Sequence, residues 1–489
     1  MAIRVTFTGG LLCLALNCAG AAAQEAPAPS PAPVAASSAP ATPVPTPAAT
    51  PAPTAAAPPP AAASAAPIPV DANAGAPPKP KKKIAPPAPP LETALSSDPA
   101  PTLQPDTFFA TEKAAERYAA IVEAGGWPTD VAPLRPGAKG PAVAKLRKRL
   151  AIEGDLDAAQ AAEGPASESW DADLSAAVKR FQARMGLRQN GLVAGATLKA
   201  INVPAGVRST QLAASARRLA AINFSFGDRY VVVNLPSTSV EAVEDGRVVH
   251  RYVAIVGDVE HPSPEIAAHI SVINLNPTWT VPTSIIKNEI IPKMLKDPGY
   301  LARQKIRILD ASGTEVDPKT INWASERAAS YTLRQDSGAG NSLGAIRIGM
   351  PNKLAVYMHD TPSKRLFGSD YRFLSHGCVR VQGVYDYAEW LLQGTSGGPS
   401  GAWDKAALQA KVKEGAREDV KLARPVPVIW VYLTGWSNQD GVANFRDDVY
   451  GVDASGEATA SASSAAPPAA PGPALLPGSF ALPSVGPSQ

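Results

Sequence analysis

From Gln24 to about Pro101 the chain consists largely of alanine and proline, with almost no large apolar residues. A segment of this composition cannot bury enough apolar surface to offset its ordering entropy, and it is expected to be disordered with polyproline II character. Fully extended, it reaches on the order of 200 Å at ~3.1 Å per residue. A second Ala/Pro/Ser-rich run covers residues 454–489. Any compact fold is therefore confined to the middle of the 489-residue chain. The "KPKKK" cluster at Lys79 to Lys83 reads as a solvated charge run, with loose attraction to an anionic polymer or membrane as the sharper alternative.

Residues 1–23 have the pattern of a secretory signal. Arg4 supplies the positive start, "LLCLALNCAG" the apolar core, and Ala21, Ala22 and Ala23 the small residues before Gln24. That core is shorter than the about 20 residues that span a bilayer. An uncleaved anchor is the weaker reading. Lipidation at Cys18 is weaker still, because Asn17 precedes it. Export changes the meaning of the cysteines. Of Cys13, Cys18 and Cys378, only the last would remain in the mature chain. A lone thiol in an oxidising compartment is either reactive or deeply buried, and count alone leaves both open. The formal net charge of +3 selects no partner class and gives no sign of nucleic-acid binding.

Helical periodicity begins near Thr111. In "TEKAAERYAAIVEAGGW", Ala114, Tyr118, Ile121 and Val122 share a face, and Gly125-Gly126 ends the run. "GPAVAKLRKRLAIEG" places Pro141 in a first turn, Val143, Leu146 and Leu150 on one side, and Gly154 at the stop. "DADLSAAVKRFQARMG" aligns Leu174, Ala177, Val178, Phe181 and Met185 as a core stripe. Asn190-Gly191 makes a turn, and "GATLKAINV" starts another short helix. From Arg229 the pattern becomes β-rich: "RYVVVNL", "RVVHRYVAIVG", "HISVINL", "KLAVYMHD", "GCVRV" and "VPVIWVYLT", with Asp245-Gly246 as a hairpin signal. Residues 283–341 interrupt it with more charge and helix formers, and read as an insertion.

The expected architecture is an α+β multidomain chain. Its parts are a signal (1–23), a disordered linker (24–107), a helical scaffold segment (108–130), a helical domain (131–204), a mostly β domain (228–453) and a disordered tail (454–489).

Strand alternation in "KLAVYMHD" puts Ala355, Tyr357 and His359 on one face and Leu354, Val356 and Met358 on the other. In "GCVRV", Val379 and Val381 point inward while Cys378 and Arg380 point outward, about 7 Å apart. A cysteine nucleophile needs a group that takes its proton or an imidazolium that stabilises the thiolate. It also needs donors for an oxyanion, which main chain near Gly377 can supply. Arg380 can bind a carboxylate bidentately. The set calls for no cofactor, and "HGC" lacks the partners that zinc would require. His250, His261 and His269 stand in no recognised spacing and are expected to be structural or exposed.

"SHGCVR", with a histidine 19 positions before the cysteine, resembles the signature of YkuD-type L,D-transpeptidases of peptidoglycan. "NPTWTVP", "LRQDSGAGNSLGAIRIGMPN", "HDTP" and "GWSNQDGVANFRDDVYGVD" are similar to the large periplasmic subgroup with a capping subdomain. The segment from "LRPGAKGPAVAKLRKRL" to "GATLKAIN" resembles the peptidoglycan-binding domain common there, so the likeness runs from Phe108 to Asp453. The resemblance implies Cys378 as nucleophile and His359 as general base. His376, Gly377 and the adjacent main chain would shape the oxyanion site. Arg380 and Tyr357 would hold the donor, with Trp279 either lining the cleft or packed in a core. It further implies a thioester at the third residue of a tetrapeptide stem, loss of terminal D-Ala, and a cap over residues 283–341 that acts as a lid. The expected partner is peptidoglycan, stem peptides and glycan alike. The expected setting is a periplasmic monomer that touches the membrane only through an uncleaved signal. Two positions depart from the pattern: Ser263-Pro264 where Thr-Pro is common, and Asn190-Gly191 where Asp-Gly is usual.

"SIIK" at Ser284 to Lys287 matches the S-x-x-K of penicillin-binding serine enzymes, but S-D-N and K-T-G are missing. The remaining rivals are a cysteine carboxypeptidase, a transpeptidase that anchors lipoprotein, and a non-catalytic wall-binding protein.

Overall fold

The computed structural model describes residues 90–161 and 164–453, without the side chains of 165 and 166. These lie in the second of two units, Pro86–Gln489. The expectations for residues 1–23, 24–89 and 454–489 fall outside the described residues.

The linker expected to run to residue 107 departs from expectation at its end. The Glu92 and Thr93 amides donate to the Asp370 carboxylate at 3.1 and 2.8 Å. Thr102 donates to Glu241 through its amide (2.8 Å) and its hydroxyl (2.9 Å). Leu103 is buried beside Tyr230 and Val232. Composition underestimated this stretch because backbone amides bound to fixed carboxylates, plus one apolar anchor, order it without a core of its own.

Helix α1 (Thr107–Glu123) buries Thr107, Thr111, Ala114 and Tyr118, a stripe of three- and four-residue spacings. Val122, expected on that face, is exposed. Helix α2 (Pro141–Glu153) carries Pro141 in its first turn and ends at Gly154, whose φ of 96° is the left-handed cap that favours glycine. Helix α3 (Ala172–Arg184) is capped by Asp171, which accepts from the Leu174 amide at 2.8 Å. Its expected stripe from Leu174 to Met185 is buried. Helix α4 (Gly195–Ile201) follows Asn190-Gly191. Helix α5 (Ala205–Ala220) packs along α1 and was not legible as a helix. Its buried face mixes Arg208, Gln211, Ser215 and Arg218 with small residues, so apolar periodicity is weak there.

Strands β1 (Arg229–Asn234), β2 (Ser239–Glu244), β3 (Arg247–Gly257) and β4 (Ile266–Leu275) open the β region. The β2–β3 turn has Asp245 and Gly246 at φ 48° and 73°, the two positive angles of the tight hairpin their sequence signals. The insertion follows. It contains β5 (Trp279–Thr280), α6 (Thr283–Ile285), a π turn (Ile286–Ile290), α7 (Ile291–Lys296), α8 (Tyr300–Arg303), β6 (Ile306–Leu309) and β7 (Thr332–Gln335). It has its own three-stranded sheet, β5-β7-β6, and its own core around Ile286, Met294, Ile308, Trp323 and Leu333. Pro292, lacking an N–H, stands just after the π turn, where the helical ladder must shift.

The chain then returns through β8 (Ile346–Gly349), β9 (Met358–His359), β10 (Phe373–Ser375), β11 (Val379–Val381), α9 (Val384–Leu391), the hairpin β12 (Ser396–Gly398) and β13 (Gly401–Ala402), α10 (Lys405–Glu414) and β14 (Glu418–Val431). The nine-stranded sheet runs β10-β3-β11-β9-β8-β4-β14-β1-β2, and a β2–β3 pairing closes it on itself. One core lies under the sheet with Tyr387 and Trp390 of α9. A second packs the other face of β1 against Leu103, Leu219 and Trp436. Burial on both faces explains why "VVV" in β1 does not alternate. Finally β15 (Gly435–Ser437) and β16 (Ala443–Phe445) turn back, so that Ala443 and Phe445 join the core of the helical module.

Candidate active site

The site is built by strand register. β9 and β11 are parallel, with Met358 beside Val379 and His359 beside Arg380. Met358, Val379 and Val381 are fully buried on the core side. Tyr357, His359, Cys378 and Arg380 therefore share the opposite face, because alternate residues of a strand point the same way. The row continues sideways. Arg347 of β8 pairs with His359, Asn274 of β4 with Arg347, and Asp419 of β14 with Asn274. Five neighbouring strands thus present Asp419, Asn274, Arg347, His359 and Arg380 along one line.

The expected long strand over "KLAVYMHD" is only β9. Asn352 organises the preceding residues as a turn, accepting from the Leu354 amide at 3.0 Å and donating to the Val356 carbonyl at 2.7 Å. Ala355 takes a positive φ of 55° and Leu354 is exposed. The local hydrogen bonds of an Asn side chain outcompete the ladder. The two-residue alternation still holds from Tyr357 to His359, the part that places the site.

His359 is buried, and its Nδ1 lies 2.5 Å from the Asp360 carbonyl oxygen. A carbonyl only accepts, so this contact favours the tautomer with the proton on Nδ1, and the Leu343 carbonyl also lies in hydrogen-bond reach of the ring. Burial, aided by the charges of Arg380 and Arg347, brings the His359 pKa down to about 3, against the carbonyls that favour its proton. Burial likewise pushes the Cys378 thiol up, opposed by the Tyr357 amide and hydroxyl and by Arg347 and Arg380. The resting pair is thus a neutral thiol and a neutral imidazole. In this environment His359 carries no standing positive charge at neutral pH. Burial and the neighbouring sulfur hold the Tyr357 phenol well above its usual range, so it stays a donor. It hydrogen-bonds with Cys378 and with Trp279.

Gly377 has φ 100°, a conformation that strains any residue with a Cβ. Its carbonyl accepts from the Ser263 hydroxyl at 2.8 Å, and that hydroxyl accepts in turn from the Gly257 amide at 2.9 Å. Ser263 is one of the two departures noted in the sequence, and it keeps the hydroxyl that the turn uses. The Ser375 hydroxyl holds the Cys378 carbonyl at 2.6 Å. Both carbonyls flanking the thiol are pinned, which fixes the direction of the main chain there.

His376 turns away from this face. Its Nε2 lies 2.8 Å from Glu289 in the π turn of the insertion, and its ring sits 4.5 Å from that of His261. The His376 ring, expected to help shape the oxyanion site, instead meets Glu289 of the insertion. Trp279 stands between the insertion and β9. It packs on the core of the insertion and reaches Tyr357. His261 also contacts Asp258 at 3.1 Å, whereas His250 and His269 are exposed strand residues.

Sequence reasoning missed Arg347, Ser263 and Glu289. Arg347 was discoverable: Ile346 and Ile348 flank it, and both are fully buried, so alternation turns Arg347 to the site. Glu289 carries no such signal, because only the tertiary placement of the insertion brings it to His376. Asp360, next to His359 in the chain, is buried and holds the Ala345 amide at 3.0 Å and Lys364. Gly344 lies so close to it that a Cβ would meet the Asp360 side chain at 2.5 Å.

Residues 228–403 match the family described as "L,D-transpeptidase catalytic domain", YkuD. The chain carries a YkuD-type L,D-transpeptidase domain. Residues 139–201, from the approach to α2 through α4, match the family described as "Putative peptidoglycan binding domain". A curated relative, "Putative L,D-transpeptidase" of Haemophilus influenzae, is 32% identical over 245 residues, covering 50% of this chain and 48% of its own length. The chain thus aligns with about half of that relative. Among solved structures, an L,D-transpeptidase from Mycobacterium smegmatis is 14% identical, covering 42% of this chain and 58% of its own, with a TM-score of 0.20. One from Stackebrandtia nassauensis is 15% identical, covering 54% and 90%, with a TM-score of 0.22. Superpositions this loose carry no weight, and the assignment of the transpeptidase domain rests on the sequence matches. No helix among the described residues is long and apolar enough to cross a membrane.

Proposed function

We propose that this transpeptidase domain joins peptidoglycan stems through a cysteine thioester. The observation that carries the proposal is the strand register that puts Cys378 beside Tyr357, and His359 beside Arg380, on one face under the insertion. His359 Nε2 takes the thiol proton as sulfur attacks the carbonyl of the third residue of a tetrapeptide stem. The imidazole is unprotonated near neutral pH, so its lone pair is free to take the proton, and efficient transfer requires bound substrate to raise its pKa toward the working pH. The main chain at Gly377 and Cys378, held by Ser263 and Ser375, supplies donors to the oxyanion. The carbon–nitrogen bond breaks, the proton passes from His359 to the leaving amine, and D-Ala departs. An amine from the diaminopimelate of a second stem then attacks the thioester. Sulfur leaves as the new amide forms, and the thiol regains a proton. The product links two third-position residues and serves wall remodelling. The insertion, docked through Glu289 and His376, limits water at the thioester and so favours the amine. The signal pattern of residues 1–23 and the likeness of residues 139–201 to a peptidoglycan-binding domain support a periplasmic setting for this reaction.

Purified protein is incubated with disaccharide-tetrapeptide. Cross-linked dimers that vanish in Cys378→Ala are expected. Tripeptide without dimer would make the protein a carboxypeptidase, and unchanged substrate in the active-site-intact protein would leave only a wall-binding role. A carbapenem should add one covalent mass to the wild type and none to Cys378→Ala; an adduct on the variant would remove Cys378 as nucleophile.

A further inference from the structure

Two cations flank the thiol without an ion pair among the described residues, and Arg347 feels the Asp419 carboxylate of the same row only through space. Arg347 makes one long hydrogen bond, 3.4 Å to Asn274, and its guanidinium lies 4.5 Å from the Tyr357 ring centre. Arg380 forms no hydrogen bond or ion pair among the described residues. The Nε atoms of both are buried and unpartnered. Both guanidiniums act electrostatically on the Cys378 sulfur and on the ring between them, His359. A buried unpaired donor costs about 1–3 kcal/mol, more when charged, and such groups are normally satisfied. Two of them around one sulfur suggest an anion that arrives with the substrate.

We propose that Arg347 and Arg380 form a two-guanidinium clamp for the α-carboxylate of the D-amino acid that leaves the donor and of the one that replaces it. The inference rests on the transpeptidase reading and adds Arg347 and a substrate group to it. The carboxylate of the leaving D-Ala is two bonds from the scissile nitrogen. It therefore lies close to a sulfur that attacks the adjoining carbonyl. The side-chain carboxylate of the donor diaminopimelate lies beyond three methylenes and is placed worse. The attacking amine of the acceptor sits on a D-centre with its own α-carboxylate. It thus presents to the site the same amine, D-carbon and carboxylate as the group that left. One clamp can orient the departing and the entering nitrogen alike. The planar forks of two arginines, on β8 and β11 with β9 between them, suit a carboxylate held over His359.

The full chain is tested in two ways. Cys378→Ala removes turnover and lets equilibrium binding be read. It should bind a free tetrapeptide roughly tenfold or more tighter than the same peptide with a C-terminal amide. Adding Arg347→Met should bring the two affinities within about threefold, and Arg347→Lys should restore part of the preference. In the active protein, exchange of the terminal residue should use D-methionine and reject D-methionine amide, and Arg347→Met should reduce that discrimination. Equal binding of acid and amide by Cys378→Ala overturns the clamp whatever the turnover. A preference that survives in Arg347→Met removes Arg347 from it. A preference for the acid in a protein whose wild type makes neither dimer nor exchange product supports the clamp and refutes the transpeptidase reading. Thermal unfolding of Arg347→Lys alongside Arg347→Met separates loss of charge from loss of fold.

Discussion

The helical module and the catalytic sheet both place arginines out of full contact with water, under different terms. In the module, Arg149 pairs with Glu153 at 2.6 Å, and Arg184 reaches Glu153 and Asp155 at 2.5 Å each. The Tyr118 hydroxyl donates to Glu153 at 2.8 Å, and the Arg149 guanidinium lies 3.8 Å from the Trp127 ring centre. Burial pushes the Glu153 carboxyl up, but Arg184 and Arg149 outweigh it and hold the group below its usual range. Arg208 has no carboxylate contact, yet it bonds Gln211 at 2.9 Å and the Ala200 carbonyl at 3.4 Å. In the sheet, Arg380 has neither kind of support among the described residues, and Arg347 has only the 3.4 Å bond to Asn274 and the Tyr357 ring. The module spends its charges on joining α1, α2 and α3, whereas the sheet leaves two cations unmatched beside a thiol. Paired buried charge marks structure here, and unpaired charge marks a place that waits for a ligand.

That contrast can be broken most directly at the thiol. Cys378→Ala should lower dimer formation by ~10⁴-fold or more, with a melting temperature close to wild type. A large loss of stability would mean that the sulfur is a core group after all. Next comes the module. Glu153→Ala leaves Arg149 and Arg184 without their shared carboxylate and should cost about 3–5 kcal/mol, read by denaturant unfolding. An unchanged midpoint would show that the network contributes no more than surface pairs do. The same network gives a sign for pH. The Glu153 pKa is lower folded than unfolded, so its stabilisation is present above the unfolded value and is lost as pH falls through the folded one.

Arg347→Met should do the reverse of Glu153→Ala. Removing an unpaired cation should leave the melting temperature unchanged or raised, while kcat/KM falls roughly 10- to 100-fold. A drop in stability comparable with that of Glu153→Ala would erase the distinction between the two regions. The pH profile sharpens the assignment of His359. With its pKa at about 3, His359 stays unprotonated, and kcat/KM should hold as pH falls from 7 to about 5 if this imidazole takes the proton. An acid limb centred near the ordinary histidine value would mean that a different group takes the proton. The smallest effect is expected at the cap. Glu289→Gln weakens a half-exposed contact to His376, worth about 0–1 kcal/mol. It should shift KM by no more than a few-fold, whereas an abolished reaction would place Glu289 in the chemistry itself.

Much of this was readable in advance because it depends on spacing alone. The stripe from Leu174 to Met185, the Asp245-Gly246 turn and the inward Val379 and Val381 follow from residue type and local period. So does the common face of Cys378 and Arg380. The losses occurred where local signals were weak or opposed. Helix α5 buries polar side chains, so its period is hidden. The strand before Met358 yields to the side chain of Asn352. Residues 90–106 are ordered by Asp370 and Glu241, which lie far along the chain.

The sequence determined by itself that one thiol stands between a glycine and an arginine on a strand, and that a second strand carries a histidine. Covalent geometry and two-residue alternation suffice for that. Only the tertiary structure decided that β9 lies between β8 and β11, which sets Arg347 and Arg380 on either side of His359. It alone buried that imidazole far enough to keep it neutral, and it alone carried Glu289 to His376. Pairing partners and desolvation arise from residues distant in the chain, and no local pattern encodes them.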